Sequence, residues 1–279
     1  MAFSASKKRE TKLKGPTVKG RLLIPSAVVE RWYEKQMNAV THSMIEDYRE
    51  QVKAALDRSQ VKTFFAEDSS VSSIFAAIFA RMNEKWTRVY QGFATKTAKE
   101  FVDKSEQHAD ASTLFSLSTM GVQQPTKAYN ANVANTLAAS VNFNHTLITG
   151  IQKEVHEKIH TAVMLSLTSP DPAQQGQSGI ESALKEVSGF SKKRIELIAI
   201  DQNSKLYSAL SDERMLQNGI EEFEWAHSSA GKTPRPSHVA KDGMIFKLND
   251  PRLWEGPKAD QGPPGWAIRC RCRKLPVIT

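Results

Sequence analysis

Cysteine is nearly absent. The chain of 279 residues has two, Cys270 and Cys272, one residue apart in the stretch GPPGWAIRCRCRKLPVIT. Such scarcity excludes a disulfide framework, which needs more thiols at wider spacing. A bond between these two is also disfavoured, because so small a ring forces the disulfide off its preferred dihedral. Long apolar runs are missing as well. The best candidate, within SSIFAAIFARM, reaches about a third of the roughly 20 residues a membrane-spanning helix requires. The opening stretch MAFSASKKRETKLKGPTVKGR has no apolar core and does not read as a secretory signal. These absences together lead to the expectation of a protein made in a reducing, intracellular compartment.

Positive charge, by contrast, is in excess: the net charge is +8 and the pI about 9.4. Much of the excess lies near the start, where Lys7, Lys8, Arg9, Lys12, Lys14, Lys19 and Arg21 face a single acid, Glu10. Residues 1–24 therefore read as a basic flexible arm. Two readings of it stand: a solvated tail, or an arm that reaches a polyanion or the acidic face of a protein. Few aromatics interleave these cations, so base stacking is not part of either reading.

Residues 25–168 read as a helical domain. In VVERWYEKQMNAVTHSMIEDYREQVKAAL the apolar residues Val29, Trp32, Tyr33, Met37, Val40, Met44, Ile45 and Tyr48 recur at spacings of three and four, one stripe of an amphipathic helix. Ser26, after Pro25, is a suitable N-cap. The stretch from VSSIFAAIFARM through EFVDK is a second helical region, MGVQQPTKAYNANV a loop, and helix resumes through Met164. Period-two alternation is almost missing here, and the stripes read as mutual core.

The segment LTSPDPAQQGQSG marks a boundary, and residues 169–219 read as a linker and a two-helix connector. Gly189 is expected to end the first helix, Ser191 to cap the second, and Asn218-Gly219 to end that. Such a pair invites comparison with a DNA-reading helix-turn-helix, but Ile195, Leu197, Ile198, Ile200 and Leu206 crowd the second helix with core residues. From residue 220 to 279 the chain turns rich in Gly, Pro and Trp, with strand-like runs at EFEWA, MIFKL and AIRCRCR. The expected fold is mainly α with a small, loop-rich α+β module at the C-terminal end, a unit thin enough to need a staple.

Alternation in Arg269–Cys270–Arg271–Cys272–Arg273 places both thiols on one face of an extended segment and the guanidinium groups on the other. Two histidines, His227 and His238, precede them, completing a His-x10-His…Cys-x-Cys set of the ligand types that tetrahedral Zn2+ prefers. Four protein ligands would make the site closed and structural. On spacing alone an alternative stands, with the thiols buried as small hydrophobes and the histidines exposed in a loop. Asp242-Gly243 reads as a turn feeding MIFKL. A second pattern, His156-Glu157-x-x-His160, fits the HExxH metalloprotease helix, though Lys158 lies between the ligands and no third ligand follows.

The ordered motifs Trp225-x-His227-Ser228, Pro234-Arg235-x-x-His238, Asp242-Gly243-x-x-Phe246 and Pro264-Gly265 ahead of Cys270-Arg271-Cys272 resemble the phage Mu F-like head morphogenesis family, over roughly residues 180–278. Members are minor head proteins of tailed phages. The resemblance implies a structural role, in procapsid and head assembly, rather than catalysis. It implies the portal protein and the major capsid protein as partners, packaged double-stranded DNA as a non-specific one, and no membrane in the mature head. The implied location is the virion head or neck region, after assembly in the host cytoplasm. Many relatives carry Cys-x-x-Cys ahead of a His-x-x-Cys-x-Cys ending; here Arg235 and His238 stand in the places of the first pair and Ala267 in that of the later histidine, while His227 offers a fourth ligand for structural zinc. Two rival classes remain at this point: a metal-dependent enzyme, either a nuclease built on His227 and His238 or the HExxH protease, and a regulator reading DNA with the connector.

Overall fold

The three-and-four spacing is realised as four long helices, α1 (Ala27–Arg58), α2 (Ser69–Thr119), α3 (Ala131–Thr168) and α4 (Gly176–Gln217). The computed structural model describes residues 17–58, 69–171, 175–228 and 233–279. Lys7, Lys8, Arg9, Lys12 and Lys14 of the basic arm lie outside the described residues. Ser26 opens α1, its hydroxyl accepting from the Val29 amide at 3.3 Å, and Asn130 does the same for α3 through the Val133 amide at 2.9 Å. Each cap satisfies a backbone donor that the first helical turn leaves without a partner.

The four helices pack on one another around a continuous core that includes Tyr33, Met44, Phe101, Ile148, Val155, Ile195 and Leu210. Within it, pairs of polar groups satisfy each other: the Tyr33 hydroxyl donates to Asn144 at 2.9 Å, and Gln152 donates to Asn83 at 3.0 Å. Arg214 of α4, 1% exposed, clamps Asp110 of α2 with two hydrogen bonds (2.6 and 3.2 Å) and also donates to the Ala128 carbonyl. Because a buried guanidinium without partners is costly, this clamp fixes α4 against α2 and against the loop that leads into α3.

Two expectations are corrected here. The two-helix connector is one unbroken helix, α4, which runs through Gly189. A glycine inside a helix costs roughly 1 kcal/mol against alanine, and Leu184, Val187, Ile195 and Ile198, all buried on either side of it, outweigh that. Ser191 does not cap: its hydroxyl donates back to the Ser188 carbonyl at 3.0 Å. With no turn there is no helix-turn-helix, and α4 is part of the bundle.

Two residues expected in the arm, Lys19 and Arg21, belong to the fold instead. Val18–Lys19 form a strand, β1, and Lys19 is ion-paired with Glu224. The Arg21 amide donates to Ser116 at 2.7 Å, its guanidinium lies over the Phe115 ring, and Leu23 is buried. Lys19 and Arg21 are therefore tied down by the fold.

The C-terminal module is built on an antiparallel sheet in the order β1–β4–β2–β3, with β2 at Glu222–Ala226, β3 at Ile245–Lys247 and β4 at Arg273–Ile278. A one-turn helix, α5 (Pro236–Val239), and two 3-10 turns, Pro251–Trp254 and Lys258–Asp260, fill the connections. EFEWA and MIFKL become β2 and β3 as expected. AIRCRCR does not become a strand: β4 starts at Arg273, and Arg269 has φ +57°. The module is seated on α4 by three polar ties. The Arg269 amide donates to Asp201 at 2.7 Å, the Ser208 hydroxyl donates to the Pro264 carbonyl at 2.9 Å, and Lys274 is ion-paired with Asp212.

Candidate metal centre

Although the segment around the cysteines is not a strand, the i, i+2 relation survives: Cys270 and Cys272 are buried while Arg269 and Arg271 are exposed. Neither thiol is in a disulfide. Both sulfurs lie 3.6 Å from Nδ1 of His238, which is also buried, and the three ligand atoms fall within 4.8 Å of one another. Metal–sulfur and metal–nitrogen bonds of about 2.3 and 2.05 Å, at the tetrahedral angle, give a sulfur–nitrogen edge of about 3.6 Å. The three residues thus form one face of a zinc-sized tetrahedron. No other group of three such ligands occurs among the described residues.

The surroundings hold this face in place. His238 comes from α5, which Pro236 opens at its first turn, where a missing N–H costs nothing. Nε2 of His238 donates to the Asp260 carbonyl at 2.9 Å, which turns Nδ1 toward the sulfurs, the outer-shell arrangement of histidine metal ligands. The Asp260 carboxylate in turn pairs with Arg235 at 2.9 Å and accepts from Ser237 at 2.6 Å. Arg235 also donates to the Ile268 carbonyl at 2.8 Å, so one arginine–aspartate pair joins the helix that carries His238 to the loop that carries the thiols. Trp225 of β2 is fully buried with its ring edge-on to His238 at 5.1 Å, and its side chain acts on the Cys272 sulfur, favouring the thiolate there. Gly243, at φ +73°, makes the turn that returns the chain to β3, donating to the Trp225 carbonyl at 2.8 Å, while Asp242 accepts from the His227 amide at 2.7 Å.

Electrostatics favour a thiolate. Hydrogen bonding from the Cys272 thiol brings Cys270 well below the usual thiol range, against the opposing effect of burial and with help from His238 and the Gly265 amide. Cys272 is pushed up by its proton-sharing with Cys270 and by burial. Burial opposes a charge on His238, yet the Cys270 sulfur and the Asp260 carbonyl outweigh it and leave that histidine above its usual range. Two buried thiols, one held toward the thiolate, and an imidazole nitrogen are the donor set that a divalent cation of zinc type would take.

Of the four residues expected as ligands, the structure brings three together. His227 lines the same cavity, but it is not in the group whose ligand atoms converge. Spacing in the sequence could not separate His227 from His238; the difference lies in α5, which turns only the second histidine inward. Arg235 and Asp260 were not legible as supports, since their contacts cross long stretches of chain.

The HExxH pattern gives no second centre. Tyr48 pairs with Nδ1 of His156 at 2.5 Å, and Phe79 lies edge-on to the His160 ring at 4.9 Å. With one ring nitrogen engaged by a phenol and the other ring packed on a phenylalanine, the helix turn is occupied by packing.

Fold and site define a helical body bearing a small module in which two thiols and an imidazole converge. Residues 157–275 match the family of Phage Mu protein F like proteins, the family that the C-terminal motifs resemble. The match starts inside α3, takes in all of α4 and the three converging ligands, and ends in β4. The chain is also similar to a Haemophilus influenzae (strain Rd) protein described as an uncharacterized protein, at 28% identity over 253 residues, covering 89% of this chain and 53% of that protein. The chain thus spans about half the length of the curated relative it matches. No solved structure matches it. Among the described residues no helix is long and apolar enough to cross a membrane.

Proposed function

We propose that this chain is a phage minor head protein, a structural component of the virion that works in procapsid and head assembly, with a C-terminal module stapled by one Zn2+ held on His238, Cys270 and Cys272. The observation that carries the reading is the coincidence of the family match with the site: residues 157–275 contain α4, the sheet and all three converging ligands. A role in binding suits the architecture. The four long helices share one core, and the cluster of ligands found among the described residues lies in the loop-rich module, where it would serve as a staple. The portal protein and the major capsid protein are the partners this role requires, and the cations of residues 7–14 suit packaged DNA, whose phosphates a basic arm holds without sequence preference.

Metal content of the purified protein tests the staple. About one zinc per chain, kept in a His156→Ala/His160→Ala variant and lost in a Cys270→Ser/Cys272→Ser variant, is expected. Zinc lost only from the histidine variant would overturn the reading in favour of the protease. For the partners, co-expression with the portal and capsid proteins should place the chain in purified procapsids; its absence from them would refute the assembly role. DNA retention is expected to fall when residues 1–16 are deleted and to weaken steeply with salt, and equal retention in the deleted protein would free the arm from that role.

A further inference from the structure

Three converging ligands leave one corner of the tetrahedron open, and the surroundings of that corner are specific. The metal face forms the floor of a cavity of about 540 Å3 whose walls include His227, Thr233, Arg235, Arg269 and Arg271. Arg235 is neutralised by Asp260. Arg269 and Arg271 are exposed, and among the described residues neither guanidinium has a carboxylate within ion-pairing distance. Two unpaired cations on the wall of one cavity are an anion-binding arrangement, and a guanidinium fork matches the oxygens of phosphate.

The backbone adds an independent observation. Arg269 is held at φ +57°, a left-handed conformation that glycine adopts freely and a side chain carries only under strain. Its amide is fixed there by Asp201, a buried residue of α4. A turn that needed only its shape would be served better by glycine, so an arginine here is a pointer to a role for its side chain.

We propose that the centre takes only three ligands from the protein, and that its fourth corner faces the cavity that Arg269 and Arg271 also line and binds an oxyanion of the phosphate class there. This rests on the metal reading above and changes its character: the centre is open rather than closed, and His227 lines the approach without coordinating.

The test uses the full chain loaded with Co2+, whose visible spectrum reports the ligands around it, titrated with inorganic phosphate at constant ionic strength against chloride. A saturable change in the cobalt bands is expected in the parent protein and in His227→Ala alike. In Arg269→Gly/Arg271→Gln, which relieves the backbone strain while removing both charges, cobalt should still bind, with the phosphate response weakened at least tenfold. A 5′-phosphorylated DNA duplex that reproduces the change would assign the oxyanion to nucleic acid; response to inorganic phosphate alone would assign it to a small anion. Cobalt bands that ignore phosphate, or that change in His227→Ala before phosphate is added, would overturn this inference alone. Failure to bind cobalt would overturn it together with the metal reading.

Discussion

Replacing Asp212 by asparagine should loosen the module from the body more than any other exchange of similar size. The Lys274 side chain, from β4, is 3% exposed and ion-pairs with Asp212 of α4, whose side chain keeps 21% of its surface. The other polar neighbour of the ammonium is the Ser208 carbonyl, at a long 3.5 Å. Burial depresses the pKa of Lys274 and raises that of Asp212, while each group's charge opposes the other's shift. Taking the carboxylate away strands a cation in the interior, and breaking a buried pair from one side costs about 3–5 kcal/mol. Lys274→Met should cost less, about 2 kcal/mol, because the partly exposed Asp212 can be hydrated or protonated. The double variant Asp212→Leu/Lys274→Met should return to within about 1 kcal/mol of the parent, as replaced buried pairs commonly do. Urea unfolding followed by tryptophan fluorescence reads all three, since Trp225 lies on the strand next to β4. At about 2–4 °C per kcal/mol for a chain near this size, Asp212→Asn should lower Tm by about 10 °C. A loss below about 1 kcal/mol, or a double variant as unstable as the two single losses combined, would refute the account of the pair as a buried bolt.

Arg214→Lys should cost about 2 kcal/mol, because an ammonium cannot reproduce the fork on Asp110; chemical denaturation checks it, and an unchanged midpoint would count against the clamp. At position 269, Gly should be more stable than Ala by about 1 kcal/mol, the usual sign at a left-handed backbone position, and thermal melts of the two variants decide this. Gly265→Ala should be destabilising by about 1–3 kcal/mol, since φ is +88° and a Cβ would stand 3.2 Å from the Ser204 carbonyl. His156 is held below its usual pKa by burial, with His160 adding to it. In the fold it stays neutral while in the unfolded chain it protonates, so stability is full above about pH 6.5 and falls as pH drops below that. Tm measured from pH 7.5 to 5.5 should slope downward on acidification, and His156→Gln should flatten the slope.

The helices were legible because burial of one face leaves a three-and-four record along Val29, Tyr33, Met37 and Met44, and EFEWA and MIFKL were legible by their alternation. The continuity of α4 was not. Gly189 and Ser191 carry local signals for a break, and these lose to packing on three neighbouring helices, which no local window contains. The pairing of β1 with β4 was invisible for a related reason: a two-residue strand has no periodicity, and its partner lies some 260 residues away. At the site, the residue types and the shared face of Cys270 and Cys272 could be read directly. That His238 joins them and His227 does not depends on α5 and on the Asp260 carbonyl, facts of three-dimensional arrangement that spacing does not encode.

The strand order has a consequence for the timing of synthesis. In β1–β4–β2–β3 the inner strand that joins β1 to the β2–β3 pair is the one made latest. Translation at about 5–20 residues per second delivers the 31 residues from Lys247 to Ile278 over about 2–6 s. During that interval the earlier hairpin exposes an open edge on β2, and His238 waits without its thiols. Cys270 and Cys272 emerge immediately before the strand that covers that edge, so ligand supply and sheet closure fall in the same short stretch of chain. A chain that stops after β3 therefore has neither the strand that covers β2 nor the two thiols that converge on His238, and the intact module marks a chain that has been read through to β4.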